Sequence, residues 1–198
     1  MTSIGRPAGP LSALVVHESM FGNTERIAEA VVRGLRKNGF EAHAVPSGSL
    51  AATGPIRVDL LVLGAPTHVF SLSRPQTRAD AVRQGAAAHR AETGLREWIA
   101  LATPQKVGTD RVVVFDTRVA RVRRLRVGAG TVAARLLRRR GFHLLRKPVA
   151  FLVEDTPGPL CAGEEARAER WGQMMAAACR EERVAATGST TRSASTAT

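Results

Sequence analysis

Leu11-Ser-Ala-Leu-Val-Val-His17 runs straight into Glu18-Ser19-Met20-Phe21-Gly22-Asn23-Thr24, and Ile27, Ala28, Val31, Val32 and Leu35 follow at helical spacing. A continuous apolar run, a hydroxyl-bearing turn and an amphipathic stripe predict a strand, a loop and a helix. An unbroken run, rather than an alternating one, suits a parallel strand covered on both faces. Gly39 stands where such a helix stops. A loop of this kind at a helix start is suited to an anion, because backbone N–H groups point outward and the helix dipole favours negative charge. Ser19, Asn23 and Thr24 add side-chain donors. A simple N-cap would also place Asn or Thr there, but it does not require the whole Ser-x-x-Gly-Asn-Thr string.

The same pattern repeats along the chain. Leu60–Leu63, Val112–Phe115 and Val149–Val153 are further unbroken apolar runs, and Glu41–Val45 alternates as an edge strand would. Leu95, Trp98, Ile99 and Ala102 form a second helical stripe. Val132, Ala133, Leu136 and Leu137 form a third, and Trp171, Met174, Met175 and Ala178 a fourth. Both tryptophans sit on apolar stripes and are expected in the core. The order β-α-β-β-(long connection)-α-β-α-β-α implies a parallel sheet with helices on both faces. The Gly/Pro-containing residues 47–58 leave room only for a reduced crossover. Five strands in this pattern fit the order 2-1-3-4-5, which puts a ligand beyond the carboxyl ends of strands 1 and 3. The loops to search are 17–24, 65–75 and 116–130. Residues 1–10 read as a loose lead-in, 11–184 as one α/β domain, and the small, polar 185–198 as a disordered tail.

The 198 residues suffice for one domain, with 44% hydrophobic and 23% charged residues. No apolar run is long enough to span a membrane. The two cysteines, Cys161 and Cys179, cannot frame a disulfide scaffold, and no signal-peptide pattern opens the sequence, so a cytoplasmic protein is expected. The net charge of +12 is uneven. Residues 118–147 hold 11 bases and no acid, leaving 18 bases against 17 acids elsewhere. Nothing aromatic is interleaved with the bases as a single-strand stacking platform would need, and nucleic acid is not expected as a partner. A solvated face in an arginine-biased chain is the plain alternative. The five histidines show no metal-ligand spacing. Gly128-x-Gly130-x-x-Ala133 lies too far beyond its strand for a dinucleotide fingerprint, and P-loop and nucleophile-elbow strings are absent.

Ser19-x-x-Gly22-Asn23-Thr24 after strand 1 resembles the FMN phosphate loop of flavodoxins, Ser/Thr-x-Thr-Gly-x-Thr. The resemblance extends in element order over about residues 11–184. The chain departs from the family at Phe21, where the usual residue is Thr. The string Gly64-Ala65-Pro66-Thr67-His68 resembles the family's loop after strand 3, which lies against the isoalloxazine. The loop after strand 4, here Asp116-Thr117-Arg118, often carries a stacking Tyr, and this chain has no Tyr. The resemblance implies a flavodoxin-like three-layer sandwich with FMN as cofactor. Ser19, Met20, Phe21, Gly22, Asn23 and Thr24 would hold the phosphate. Pro66, Thr67 and His68 would line one side of the ring, and Asp116, Thr117 and Arg118 the other. No residue is assigned acid–base or metal-binding work.

The function implied is electron transfer. The alternative is an FMN-dependent NAD(P)H- or quinone-type oxidoreductase, and a more distant one is a basic binding module without flavin. Arginines beside the ring would raise the potential of the reduced state relative to acidic flavodoxins. They would also favour an acidic redox partner such as a ferredoxin, or the phosphates of NAD(P)H. The connection 71–93, with Arg74, Arg78, Arg83 and Arg90, is placed to cover the site as a lid.

Overall fold

The computed structural model describes residues 9–49, 55–106, 110–123 and 127–194. These form one sheet of strands β1 (Leu11–His17), β2 (Phe40–Pro46), β3 (Leu60–Pro66), β4 (Arg111–Val119), β5 (His143–Leu144) and β6 (Val149–Val153). The helices are α1 (Asn23–Lys37), α2 (Pro75–Arg83), α3 (Leu95–Leu101), α4 (Ala129–Arg139) and α5 (Glu164–Ala194). Every strand pairing is parallel. β1 lies between β2 and β3, β3 pairs with β4, and β5 and β6 both pair with the far side of β4.

The expected order 2-1-3-4-5 is present, with its fifth position filled in two pieces. β5 pairs with Arg111 and Val112, and β6 with Phe115 to Val119. Pro148, which has no N–H for a ladder, separates them. A two-residue strand is too short to leave a periodic signal, so β5 escaped the sequence reading. β2 alternates buried and exposed residues at its start, as an edge strand should. The described part of the β2–β3 connection, residues 47–49 and 55–59, contains no helix.

Two apolar layers hold the sheet. On one face α1 and α5 pack over Val15, Val62, Val113, Phe115 and Phe151. On the other, α3 and α4 pack over Val16, Leu61, Leu63, Val112 and Val114. Both tryptophans are buried, Trp98 in the second layer and Trp171 in the first. Phe115, Phe151 and Trp171 meet edge to face, with ring centroids 5.7–6.1 Å apart. α1 and α5 touch backbone to backbone: a Cβ on Gly34 would stand 2.0 Å from the Glu169 carbonyl oxygen, and one on Gly172 2.5 Å from that of Val31.

α1 ends as expected, with Gly39 in the left-handed region at φ 67°. α5 continues to Ala194, so its backbone is helical through residues the composition assigns to a tail. A helix nucleated on a packed first half extends at little cost. Residues 1–8 and 195–198, and Arg124 and Arg126 of the arginine-rich segment, lie outside the described residues. Among the described residues no helix is long and apolar enough to cross a membrane, and no cluster of three or more His, Cys, Asp or Glu is arranged to hold a metal ion.

Candidate functional site

The carboxyl ends of β1 and β3 lie side by side, with His17 opposite Gly64. A cavity of about 260 Å³ opens there. Its lining joins all three predicted loops: Ser19, Met20, Phe21, Asn23 and Thr24 from the first, Pro66, Thr67 and His68 from the second, and Thr117 and Arg118 from the third.

The first loop presents its backbone. Gly22 caps α1 in the left-handed region at φ 86°, which turns the chain sharply into the helix. Among the described residues, the N–H groups of Met20, Phe21, Gly22, Asn23 and Thr24 have no acceptor. The next donor is occupied: the Glu25 N–H donates to Ser19 Oγ at 3.2 Å, which leaves the Ser19 hydroxyl proton free to point outward. Two side chains expected to face the anion serve the scaffold instead. Asn23 Nδ2 donates to the Pro157 carbonyl at 3.0 Å, and the Thr24 and Thr117 hydroxyls meet at 2.8 Å. Phe21, the departure from the family's Thr, packs with Met20 against Ala81 and Ala86, so its ring leans on the α2 segment.

The second loop closes in a tight turn. His68 and Ser71 exchange backbone hydrogen bonds, both 2.9 Å, around Val69 and Phe70. Both central residues have positive φ, 45° and 60°. Such turns favour Asn-Gly, because a β-branched or aromatic residue is strained there. Val69, 79% exposed, lines the cavity, and Phe70 next to it is 47% exposed. The Thr67 N–H donates to the Thr117 carbonyl, and Thr67 Oγ1 accepts the Ala129 N–H that opens α4, at 3.0 Å. Burial, with Arg78 adding to it, holds the His68 imidazole below its ordinary pKa and therefore neutral.

The third loop differs from the sequence expectation. Asp116 does not line the cavity. It is fully buried, accepts the Gly130 N–H at 3.0 Å and grips Arg118 through both oxygens. Arg118 therefore reaches the cavity already neutralised. Arg121 pairs with Asp155 at 3.4 Å on the exposed rim, and Arg123 is exposed. The described arginines beside the cavity thus include two held by acids.

No protein-family profile and no curated protein matches the chain. Solved structures do. A flavodoxin from the domain Archaea superposes with a TM-score of 0.59 at 17% identity, covering 86% of this chain and 99% of that one. A flavodoxin of Streptococcus pneumonia TIGR4 gives 0.58 at 15% identity, covering 84% and 98%. The Flv1 flavodiiron core of Synechocystis sp. PCC6803 gives 0.58 at 19% identity over 88% of this chain, which spans 37% of that larger protein. The fold is flavodoxin-like.

On this flavodoxin-like frame the 71–93 connection forms one wall of the cavity. α2 lends Thr77, Asp80 and Ala81 to the cavity, and Gln84, just past its end, joins them. Arg78 is 3% exposed and is spent on the Ala91 carbonyl, Ser73 Oγ and Glu97. Arg90 donates to the Ser19 carbonyl at 3.2 Å and to Glu25 at 2.7 Å, tying the wall to the first loop. The sequence reading also missed the loop after β6, which contributes Thr156 beside Val153. Its signal was Asp155-Thr-Pro-Gly-Pro159, a turn string at the carboxyl end of the last strand. Behind the first loop, Glu18 is 2% exposed and its Oε2 accepts the Leu95 N–H at 2.7 Å. Its other oxygen has no partner among the described residues, and burial pushes the carboxyl above its ordinary range.

Proposed function

We propose that this chain binds FMN and transfers electrons, with the phosphate at the α1 start and the ring between the second and third loops. The observation that carries the reading is the run of N–H groups from Met20 to Thr24 that find no acceptor among the described residues, opening into a cavity at the carboxyl ends of β1 and β3. A phosphomonoester fits this cradle: it takes charge-assisted hydrogen bonds from those amides and from the Ser19 hydroxyl, while the helix dipole stabilises its charge. FMN, when bound, supplies the one- or two-electron chemistry.

The chain's own residues bind and orient it. Ser19 to Thr24 fix the phosphate. Pro66, Thr67 and His68 offer backbone and a neutral imidazole to one side of the ring. Asp116 acts through Arg118 and Gly130, holding the third loop and the α4 start in place. Val119, at the end of β4, lines the cavity without an aromatic ring. The exposed Arg123 favours an acidic partner such as a ferredoxin, or the phosphates of NAD(P)H. A cytoplasmic setting fits the two free cysteines.

Calorimetric titration with FMN and with riboflavin tests the reading. Each charge-assisted bond contributes about 1.5–3 kcal/mol, so FMN should bind on the order of 100-fold more tightly, with perturbed flavin absorbance bands. Equal affinities would remove the phosphate cradle. Failure to bind either ligand would leave the basic binding module as the better account.

A second reading, an NAD(P)H- or quinone-type oxidoreductase, is favoured by the apolar side chains of Val69, Val119 and Val153 that line the cavity. Such a lining can take a flat ring beside the flavin. Steady-state oxidation of NAD(P)H by the FMN-loaded protein, with a quinone as acceptor, separates the two: sustained turnover favours the enzyme and its absence favours the carrier.

A further inference from the structure

The arginine-rich segment divides between the two ends of α4. Its first part, from Arg118, lies at the cavity. The helix then opens at Ala129, bonded to Thr67, and runs away from the cavity to Arg139. At 1.5 Å per residue this places Arg139 about 15 Å from the cavity end. Arg135, Arg138, Arg139, Arg146 and Lys147 are exposed and make no ion pair among the described residues.

The helix geometry gathers them. Ala133, Ala134 and Leu137 face the sheet, so Arg135 and Arg139, one turn apart, face outward. A Cβ on Gly130 would stand 3.1 Å from Pro148, so the side of α4 that carries Gly130, Ala134 and Arg138 is turned towards the β5–β6 edge. Arg146 and Lys147 stand on that edge. On the opposite side Arg140 is spent on the Ala102 carbonyl at 2.9 Å. The result is a convex basic band around one helix and the neighbouring edge. The chain contains no Asp or Glu between Asp116 and Glu154. Glu182 of α5, in the opposite layer, is occupied by Arg111 and His143.

We propose that this band docks on the phosphate backbone of double-stranded nucleic acid. Guanidinium groups bind phosphate oxygens in pairs, and four of these five bases are arginine. The helix itself, about 10–12 Å across, matches a groove whose walls are phosphates. A protein partner would need a buried aromatic or aliphatic anchor. The band exposes no aromatic residue among the described ones, and only Leu101, at the end of α3, stands near Arg140. The missing aromatics argue against single strands but not against duplexes, which are held through their backbone. The contact is independent of sequence. It leaves the cavity open and does not depend on the flavin reading.

Anisotropy titration of a fluorescein-labelled 20-base-pair duplex of arbitrary sequence, at 50–200 mM salt, tests this. With about five phosphate contacts the affinity falls roughly 500-fold over that range. Arg135→Gln/Arg138→Gln/Arg139→Gln should weaken binding and flatten the log–log salt slope by about 0.9 per lost contact. Arg26→Gln/Arg33→Gln/Lys37→Gln removes the same charge from α1, across the sheet, and should leave the slope in place. Circular dichroism confirms that both variants fold, and their FMN affinity should match that of the parent. Equal weakening by both triples, no duplex binding at 50 mM salt, or binding only to vesicles with 30% anionic lipid would each overturn the proposal.

Discussion

Asp116 and Arg118, two residues apart on β4, meet in a two-pronged ion pair, Nε to Oδ1 at 2.7 Å and Nη2 to Oδ2 at 2.6 Å. Residues at i and i+2 on a strand share a face, and here that face is covered by the start of α4. The pair is accommodated because Gly128 and Gly130 carry no side chain. A Cβ on the first would stand 2.5 Å from Arg118 Nη2, and one on the second 2.7 Å from Asp116 Oδ2. Sequence charge alone suggested a cation beside the ring. The structure gives that cation an internal partner, so Arg118 contributes little net field to the cavity.

Removing one partner of a buried pair strands the other. Asp116→Ala should therefore cost about 3–5 kcal/mol in urea denaturation. Replacing both by apolar residues of similar volume, Asp116→Leu with Arg118→Met, should recover most of that loss. If the single variant is as stable as the parent, the pair does not hold the loop.

The α1–α5 contact makes a second prediction. Alanine is the better helix former by about 1 kcal/mol, so Gly34→Ala would be stabilising on an open helix. Here the new Cβ would lie 2.0 Å from the Glu169 carbonyl oxygen. Backbone cannot yield as a flexible side chain can, and overpacking costs about 1–3 kcal/mol. The net result should be a lower denaturation midpoint. A raised midpoint would show that the helices separate freely.

The sheet order and the three cavity loops were legible because they rest on local patterns. Leu60–Leu63 and Val112–Phe115 are unbroken apolar runs, and Ser19 to Thr24 is a turn followed by a helical stripe. What was not legible depends on pairing at a distance. Asn23 gives its amide N–H to the Pro157 carbonyl, and the Thr24 and Thr117 hydroxyls pair with each other. Asp116 turns away from the cavity towards Gly130. No local spacing encodes those partners. α2 was missed because its apolar stripe is weak: of its nine residues only Arg78 and Ala81 are buried. Its place is set by Arg78 bonding, not by a hydrophobic face.

Acid should weaken the fold through His17. Burial, offset by Glu25 and aided by Arg90, lowers this imidazole from 6.5 to about 4, so it is neutral in the folded chain. The unfolded imidazole takes its proton near 6.5. Between those values the unfolded state binds the extra proton, and stability falls as pH drops from about 6.5 to about 4. The loss is roughly 3 kcal/mol for a group this buried. Glu18 runs the other way: its carboxyl is raised by burial, so its contribution is present below its unfolded value and fades as pH rises through the folded one. His17→Leu should flatten the 4–6.5 window in denaturation midpoints measured against pH. An unchanged slope would assign the acid sensitivity to other groups.

The cradle itself can be tested by separating phosphate from ring. Ser19 Oγ accepts the Glu25 N–H and keeps its proton for a ligand oxygen. Ser19→Ala should weaken FMN about tenfold or more, since a hydrogen bond to a charged group is worth about 1.5–3 kcal/mol, and should leave riboflavin affinity unchanged. Gly22→Ala meets no neighbouring atom within 4 Å, so its cost is that of the backbone at φ 86° alone, about 1–2 kcal/mol. That cost should appear in stability, and in FMN affinity only so far as the turn relaxes and its amides lose their common aim. Equal losses for FMN and riboflavin in the Ser19 variant would place the hydroxyl at the ring instead of the phosphate, and would reverse the orientation of the ligand along the β1–β3 crevice.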